Sequence, residues 1–233
     1  MPFVLVTGAS QGIGAAVAAQ FASTTHAKLA LVARNAGNLK VVADRCRVLG
    51  GDPRFFRCDL TQDREVDSLM NNLVSQMGVP DVVVNNAGLF RPGSVRDTDV
   101  GDFRHQIDSN LISAYAVTHA LIAPMMDRGS GHVFFMASVA AVRGYPSGAA
   151  YCAAKHGVLG LARALREETK EAGIRVTAVI PGATYTASWA DSGIPESRFM
   201  PAEDIARAIV DVYQLGDRSV VEELLIRPQL GDL

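Results

Sequence analysis

The feature that most constrains this chain is a repeated alternation of two kinds of segment. Short runs rich in β-branched and apolar residues, FVLVT (3–7), KLALVA (28–33), RFFRC (54–58), DVVVN (81–85), GHVFFMA (131–137), IRVTAVI (174–180) and SVVEELLI (219–226), are separated by stretches whose apolar residues recur at helical spacing. Strand and helix in turn leave little place for hairpins, so successive strands are joined by crossovers and run parallel. The first strands are apolar at nearly every position, as strands covered on both faces must be. The pattern predicts an α/β fold with a doubly wound parallel sheet of about seven strands and helices on both faces. The 233 residues suit a single domain with a full core, and no repeat, low-complexity tract or charge run marks a linker. One stretch, 182–200, is rich in Gly, Ser, Thr and Pro and precedes the helix PAEDIARAIVDVY. A loop of that length in a compact domain reads as a lid over a binding site.

Charge and cysteine usage narrow the partners. Lys and Arg number 22 against 24 Asp and Glu, a formal net charge of −2, which offers no footprint for nucleic acid. The start, MPFVLVTGAS, lacks a basic leader, and nowhere do eighteen uncharged apolar residues run together, so neither a secretion signal nor a membrane span is expected. Cys46, Cys58 and Cys152 stand at unrelated spacings with no CxxC. They read as reduced core thiols of a cytoplasmic protein, and no metal is expected. The partner left is a small molecule.

Directly after the first strand comes TGASQGIG, which leads into the helix AAVAAQFA. Gly8, Gly12 and Gly14 permit a tight turn, close approach of a pyrophosphate to the backbone and close packing of helix on strand. The helix N-terminus favours negative charge, so the loop with Ser10, Gln11 and Ile13 is a candidate dinucleotide cradle and the fold is expected to be of the Rossmann type. About twenty residues on, where a carboxylate would meet the adenosine ribose of NAD, the second strand ends in Ala33 followed by Arg34 and Asn35. A guanidinium there can pair with a 2′-phosphate, which points to NADP(H) preferred over NAD(H). The alternative for Arg34 is a solvated residue at the head of the next helix. Asp59, with Leu60, ends the third strand in RCDLT, where its carboxylate could accept from the adenine amino group. Its alternative is the N-cap of the following helix, a place Thr61 fills equally well. VNNAG ends the fourth strand and puts Asn86, Ala87 and Gly88 beneath the crossing cofactor, with Asn85 beside them.

In YCAAKHGVLG, Tyr151 and Lys155 are four residues apart and share one face at the start of a helix. A nearby ammonium and a positive helix terminus both favour phenolate, so the tyrosine is expected to have its pKa lowered toward a range useful for proton transfer. Ser138 ends the fifth strand in FFMASVAA, and Asn110 sits in DSNLISAY, inside what reads as one long helix.

The order TGASQGIG, NNAG, Asn110, Ser138, YCAAK and PGATYT resembles the short-chain dehydrogenase/reductase family over almost the whole length. That resemblance implies a catalytic tetrad. Tyr151 would be the acid and base at the carbonyl oxygen, and Ser138 would orient that oxygen. Lys155 would bind the nicotinamide ribose and tune Tyr151, while Asn110 would hold a relay water. Pro181, Gly182, Thr184 and Thr186 match the segment bordering the nicotinamide. The resemblance also implies a homodimer or homotetramer, with helices at about 102–126 and 151–170 packed across a two-fold axis. Ala114, Ala116, Ala120, Leu159, Ala162 and Leu165 would suit that interface, or equally packing within the chain. Where many members carry a basic residue in the glycine-rich loop, this chain has Gln11, which leaves Arg34 to read the phosphate. The ending SVVEELLIRPQLGDL, with PGATYTASW and FMPAEDIA, is similar to bacterial sepiapterin-reductase-like members.

Phe90, Val139, Arg143, Tyr145, Tyr185 and Trp189 are the candidate substrate wall, although Trp189 suits a core anchor as well. The expected function is NADPH-dependent reduction of a small or medium ketone, a pterin side chain or a dicarbonyl compound among the candidates. A 3-oxoacyl thioester reductase is the alternative, without an obvious basic patch for a carrier protein. A non-catalytic NADP-sensing protein is the alternative of another class, and all four tetrad positions being filled speaks against it.

Overall fold

The computed structural model describes residues 1–189 and 192–233, so the expected lid at 182–200 includes two positions, Ala190 and Asp191, outside the described residues. Seven parallel strands form one sheet: β1 (Phe3–Thr7), β2 (Lys28–Ala33), β3 (Asp52–Arg57), β4 (Val82–Asn85), β5 (Gly131–Met136), β6 (Ile174–Pro181) and β7 (Glu223–Ile226), in the order β3-β2-β1-β4-β5-β6-β7. The order runs away from β1 in both directions, so the chain changes direction between β1 and β4 and opens a crevice at their carboxyl ends.

Why the central strands are apolar throughout is visible in β1, where all five residues are buried. Val4 and Val6 face a core shared with α1 (Gly12–Thr25), α2 (Ala36–Val48) and α7 (Ala202–Tyr213). Phe3 and Leu5 face the opposite core, shared with α3 (Asp63–Met77), α5 (Ser113–Arg128) and α6 (Ala149–Thr169). Each fully buried Leu, Val or Phe contributes about 1.5–3 kcal/mol, so both faces are strongly specified. Among the described residues no helix is long and apolar enough to cross a membrane.

Two expectations are corrected. The strand placed at 219–226 begins only at Glu223, because the Thr177 hydroxyl takes the Val221 carbonyl at 2.6 Å and pairing with β6 starts at Ala178 opposite Glu223. The long helix around Asn110 is interrupted: α4 (Val100–Ile107) passes into a π-helical turn, Asp108–Ile112, before α5 begins. Of the two packings open to the small and apolar stripe, the one within the chain is seen: Ala114, Leu159, Ala162 and Leu165 are buried in its core and Ala116 and Ala120 pack against it.

Candidate active site

The carboxyl ends of the strands border a cavity of about 740 Å³ that runs from Arg34 and Asp59 at one end to Phe90, Arg143, Tyr145 and Trp189 at the other. At its floor the glycine-rich turn needs glycine for stated reasons. Gly8 and Gly12 have φ of +63° and +56°, the left-handed region that L side chains avoid. A Cβ on Gly14 would lie 2.4 Å from the Gly8 carbonyl oxygen, so the helix could not approach the strand as it does. The turn is held from β4: the Asn86 side-chain amide donates to the carbonyls of Thr7 (3.0 Å) and Gly8 (3.2 Å), and the N–H groups of Asn86 and Ala87 both donate to Thr7 Oγ1 at 3.0 Å. Neighbouring Asn85 turns away and donates to Thr118 Oγ1 at 2.9 Å.

At the far end of the cradle, Ala33 is buried and Arg34 is exposed at the cavity edge. Asn35 caps α2, its side-chain oxygen accepting from Asn38 N at 3.0 Å. Asp59 accepts from both the N–H (3.1 Å) and the hydroxyl (2.9 Å) of Thr61 in a local turn, and the N-cap of α3 is Gln62. Neither Asp59 nor Thr61 therefore caps that helix. Burial alone would raise the Asp59 carboxyl, but the Thr61 hydrogen bonds and the nearby Arg34 charge hold it below its ordinary value. The only carboxylate near Arg34 among the cavity-lining residues at this end is thus one already engaged.

Midway along the cavity, Ser138, Tyr151, Lys155 and Asn110 come together from three places in the fold: the end of β5, the start of α6 and the π turn. Ser138 follows β5, and its Oγ accepts from Ala140 N at 3.2 Å, which fixes the short 3-10 turn Val139–Ala141. Tyr151 lies in the first turn of α6, with its ring 5.0 Å edge-on from Phe90. Lys155, one turn later and 4% exposed, donates to the Met136 carbonyl at 2.8 Å and stands 5.5 Å from the Tyr151 ring centre. Asn110, in the π turn, donates to the carbonyls of Leu89 (2.8 Å) and Gln106 (2.9 Å) and accepts from Leu89 N. A side chain on Gly88 would collide with Asn110 Oδ1.

The expected lowering of the tyrosine's pKa is corrected. Burial pushes the Tyr151 phenol up to about 12, with Ser138 pulling the other way, and burial lowers Lys155 to about 8. The cause is desolvation, which disfavours phenolate and ammonium alike. Tyr151 is accordingly a proton-bearing phenol at neutral pH.

Of the residues expected from the sequence, all line this cavity except two. Gly14 lies behind the turn as a packing glycine. Tyr185 is 36% exposed and faces a separate groove with Arg45 and Glu196, its ring packed against Phe199. Trp189 combines both of its readings, lining the cavity while its ring packs against Phe199 at a tilt, with the ring centres 5.1 Å apart. The segment into which both fall is pinned at its base, where Tyr185 N donates to Met200 O (2.9 Å) and Met200 N to Ala183 O (3.0 Å). Sequence reasoning missed Asp232, which lines the cavity and is gripped by Arg143 (2.6 Å) and Arg227 (2.5 Å). It also missed Thr7, whose position at the last residue of β1 was its available signal.

A Rossmann-type sheet with a glycine cradle, a strand-end serine and a helix presenting Tyr and Lys defines a class of nucleotide-dependent oxidoreductase. The family model for short chain dehydrogenases matches residues 2–196, and the chain belongs to that family. It is 36% identical to the sepiapterin reductase of Chlorobaculum tepidum, over 99% of this chain and 97% of that protein. It is 32% identical to the human 3-oxoacyl-[acyl-carrier-protein] reductase, over 88% of each. A metagenomic short-chain oxidoreductase, solved in complex with NADP, superposes with a TM-score of 0.87 at 29% identity, covering 98% of this chain and 97% of that one. The protein is a short-chain dehydrogenase oxidoreductase that works with a nicotinamide nucleotide.

Proposed function

We propose that this protein is an NADPH-dependent carbonyl reductase acting on a small or medium ketone, with Tyr151 as the proton donor. The observation that carries the reading is the convergence of Ser138, Tyr151 and Lys155 on one wall of a cavity whose other end is Arg34. The cradle fits the cofactor, because Gly8 and Gly12 bring bare backbone to the cavity at the N-terminus of α1, where a pyrophosphate is favoured. Arg34 would read the 2′-phosphate and Asp59 would border the adenine, with Ser10, Gln11, Ile13, Asn35, Leu60 and Ala87 completing that half. Pro181, Gly182, Thr184 and Thr186 would hold the nicotinamide end. When bound, NADPH supplies the hydride.

The chain's own residues do the rest. Tyr151, pushed up to about 12, keeps its proton at neutral pH and can release it to a carbonyl oxygen as negative charge develops there. The Ser138 hydroxyl orients that oxygen. Lys155, beside the Tyr151 ring, supplies positive charge as the proton leaves. Asn110 keeps Leu89 and the loop after it in place. Phe90, Val139, Arg143, Tyr145 and Trp189 supply a largely apolar wall with one paired guanidinium, suited to a carbonyl compound with a flat or apolar body. The relatedness to a sepiapterin reductase supports a pterin side chain as the first substrate to try. A 3-oxoacyl thioester is the second reading, supported by the human relative. A homodimer or homotetramer is supported by the exposed Phe103, Ile112 and Tyr115 on α4, the π turn and α5.

The test follows NADPH consumption against sepiapterin, diacetyl, sugar-derived ketones and 3-oxoacyl thioesters, with NADH in parallel. Turnover of one of these ketones with NADPH is expected, and Tyr151→Phe should lower kcat by about three orders of magnitude while NADPH affinity stays within about twofold. Undiminished turnover in that variant would remove Tyr151 from the chemistry.

A further inference from the structure

We propose that Gln106 is a positioning residue for the substrate wall, holding the loop after β4 so that Phe90 stays against Tyr151. The proposal rests on the carbonyl-reductase reading for its kinetic consequence, but its structural part stands alone. Residues Leu89 to Gly93 carry no helix or strand, yet the loop is tied at alternate positions. Leu89 exchanges both backbone hydrogen bonds with the Asn110 amide, donating at 3.3 Å and accepting at 2.8 Å. Two residues on, Arg91 does the same with the Gln106 amide, donating to Oε1 at 3.3 Å and accepting from Nε2 at 3.2 Å. Two residues further, Gly93 N donates to Ser147 O at 2.8 Å, just before α6.

Two side-chain amides thus imitate the edge of a neighbouring strand. Each presents one donor and one acceptor in a planar fork, which is what a residue in extended backbone offers on one side. Phe90 lies between the two tied residues, and its ring meets Tyr151 edge-on at 5.0 Å. The Asn110 amide also donates to the Gln106 carbonyl at 2.9 Å, so both clamps hang on one piece of helix where α4 passes into the π turn. Gln106 is 2% exposed and does not line the cavity. It acts on the reaction through Phe90 and not by touching a substrate. A buried glutamine is costly unless both ends of its amide are paired, and here both are spent on one loop residue.

The experiment compares wild type, Gln106→Met and Gln106→Glu by amide hydrogen exchange, thermal melting and steady-state kinetics with NADPH and whichever of sepiapterin and diacetyl is turned over faster. Met removes both hydrogen bonds at similar volume, whereas Glu keeps the acceptor for Arg91 N and loses the donor, so Glu remains informative if Met does not fold. Exchange in the 89–93 segment should accelerate about tenfold in Gln106→Met, and less in Gln106→Glu, with the sheet unchanged. KM for the ketone should rise about tenfold with a smaller change in kcat, while NADPH affinity moves less than about twofold. A lower melting temperature with unchanged 89–93 exchange and unchanged KM would overturn the proposal and leave Gln106 a structural residue. Because exchange is read without ketone or cofactor, a protein inactive on the whole panel would sink the carbonyl-reductase reading alone.

Discussion

The two ends of the cavity are built by different means. The nucleotide end is made of strand termini and backbone: Gly8, Gly12, Asn86 and Ala87, with the turn after β2 beside them; the Asn86 amide donates to the Thr7 carbonyl, and the Thr7 hydroxyl oxygen accepts from Ala87 N. The ketone end is made of side chains borrowed from separate loops: Phe90 after β4, Arg143 and Tyr145 after β5, Trp189 after β6 and Asp232 after β7. The first kind of site tolerates almost no change in shape, since its walls are the fold. The second can be re-cut residue by residue with the sheet left as it is. Substitutions in the backbone cradle of the nucleotide end should damage folding and binding together, and those at the ketone end should alter KM alone.

The largest effect is expected from Gly14→Ala. Its Cβ would sit 2.4 Å from the Gly8 carbonyl oxygen and 2.5 Å from Asn86 Nδ2, so both the turn and the amide that holds it must move. The strain should cost about 3 kcal/mol of stability, at the upper end for an overpacked site, and abolish measurable NADPH binding. Thermal melting and fluorescence titration would check it, and a stable variant with normal affinity would show that the nucleotide end is more pliable than its packing implies.

Arg34→Asp probes the same end without strain, because Arg34 is exposed. Exchanging a guanidinium for a carboxylate should swing the ratio of NADPH to NADH efficiency by about 100-fold toward NADH while the melting temperature barely moves. An unchanged ratio would take the 2′-phosphate away from Arg34 and place its recognition elsewhere in the cradle.

How legible each end was in the sequence follows from the same difference. Gly8 and Gly12 announce themselves because a left-handed turn selects glycine by residue type, and Tyr151 with Lys155 because a four-residue spacing fixes a shared helix face. The parallel sheet was legible from apolar runs covered on both sides. Tyr185 and Trp189, four residues apart in an irregular segment, gave no such handle, and only Trp189 reaches the cavity. Gln106 was invisible because its partner, Arg91, is fixed by tertiary packing and not by any helical rule. The pKa expectation for Tyr151 failed for a related reason: the neighbouring ammonium could be read from spacing, but the depth of burial that raises the phenol could not.

Asp232 is the sharpest case, since it lines the cavity in ion pairs with Arg143 and Arg227, and neither pairing follows from a helix or strand spacing. Its side chain is 9% exposed, whereas that of Arg143 is 48% exposed, so the carboxylate is the anchored member and the guanidinium the adjustable one. Asp232→Asn keeps the shape and removes the charge. Arg143 would then be freed to swing into the cavity and leave its wall more positive. Because a half-exposed guanidinium is well screened, the change should be modest: KM for a neutral ketone should shift by about threefold, and NADPH affinity and kcat should stay within about twofold. Steady-state kinetics at low and high salt would measure it. A large loss of NADPH affinity would show that Asp232 serves the nucleotide end, and the division of the cavity into a backbone-built half and a side-chain-built half would fail at that residue.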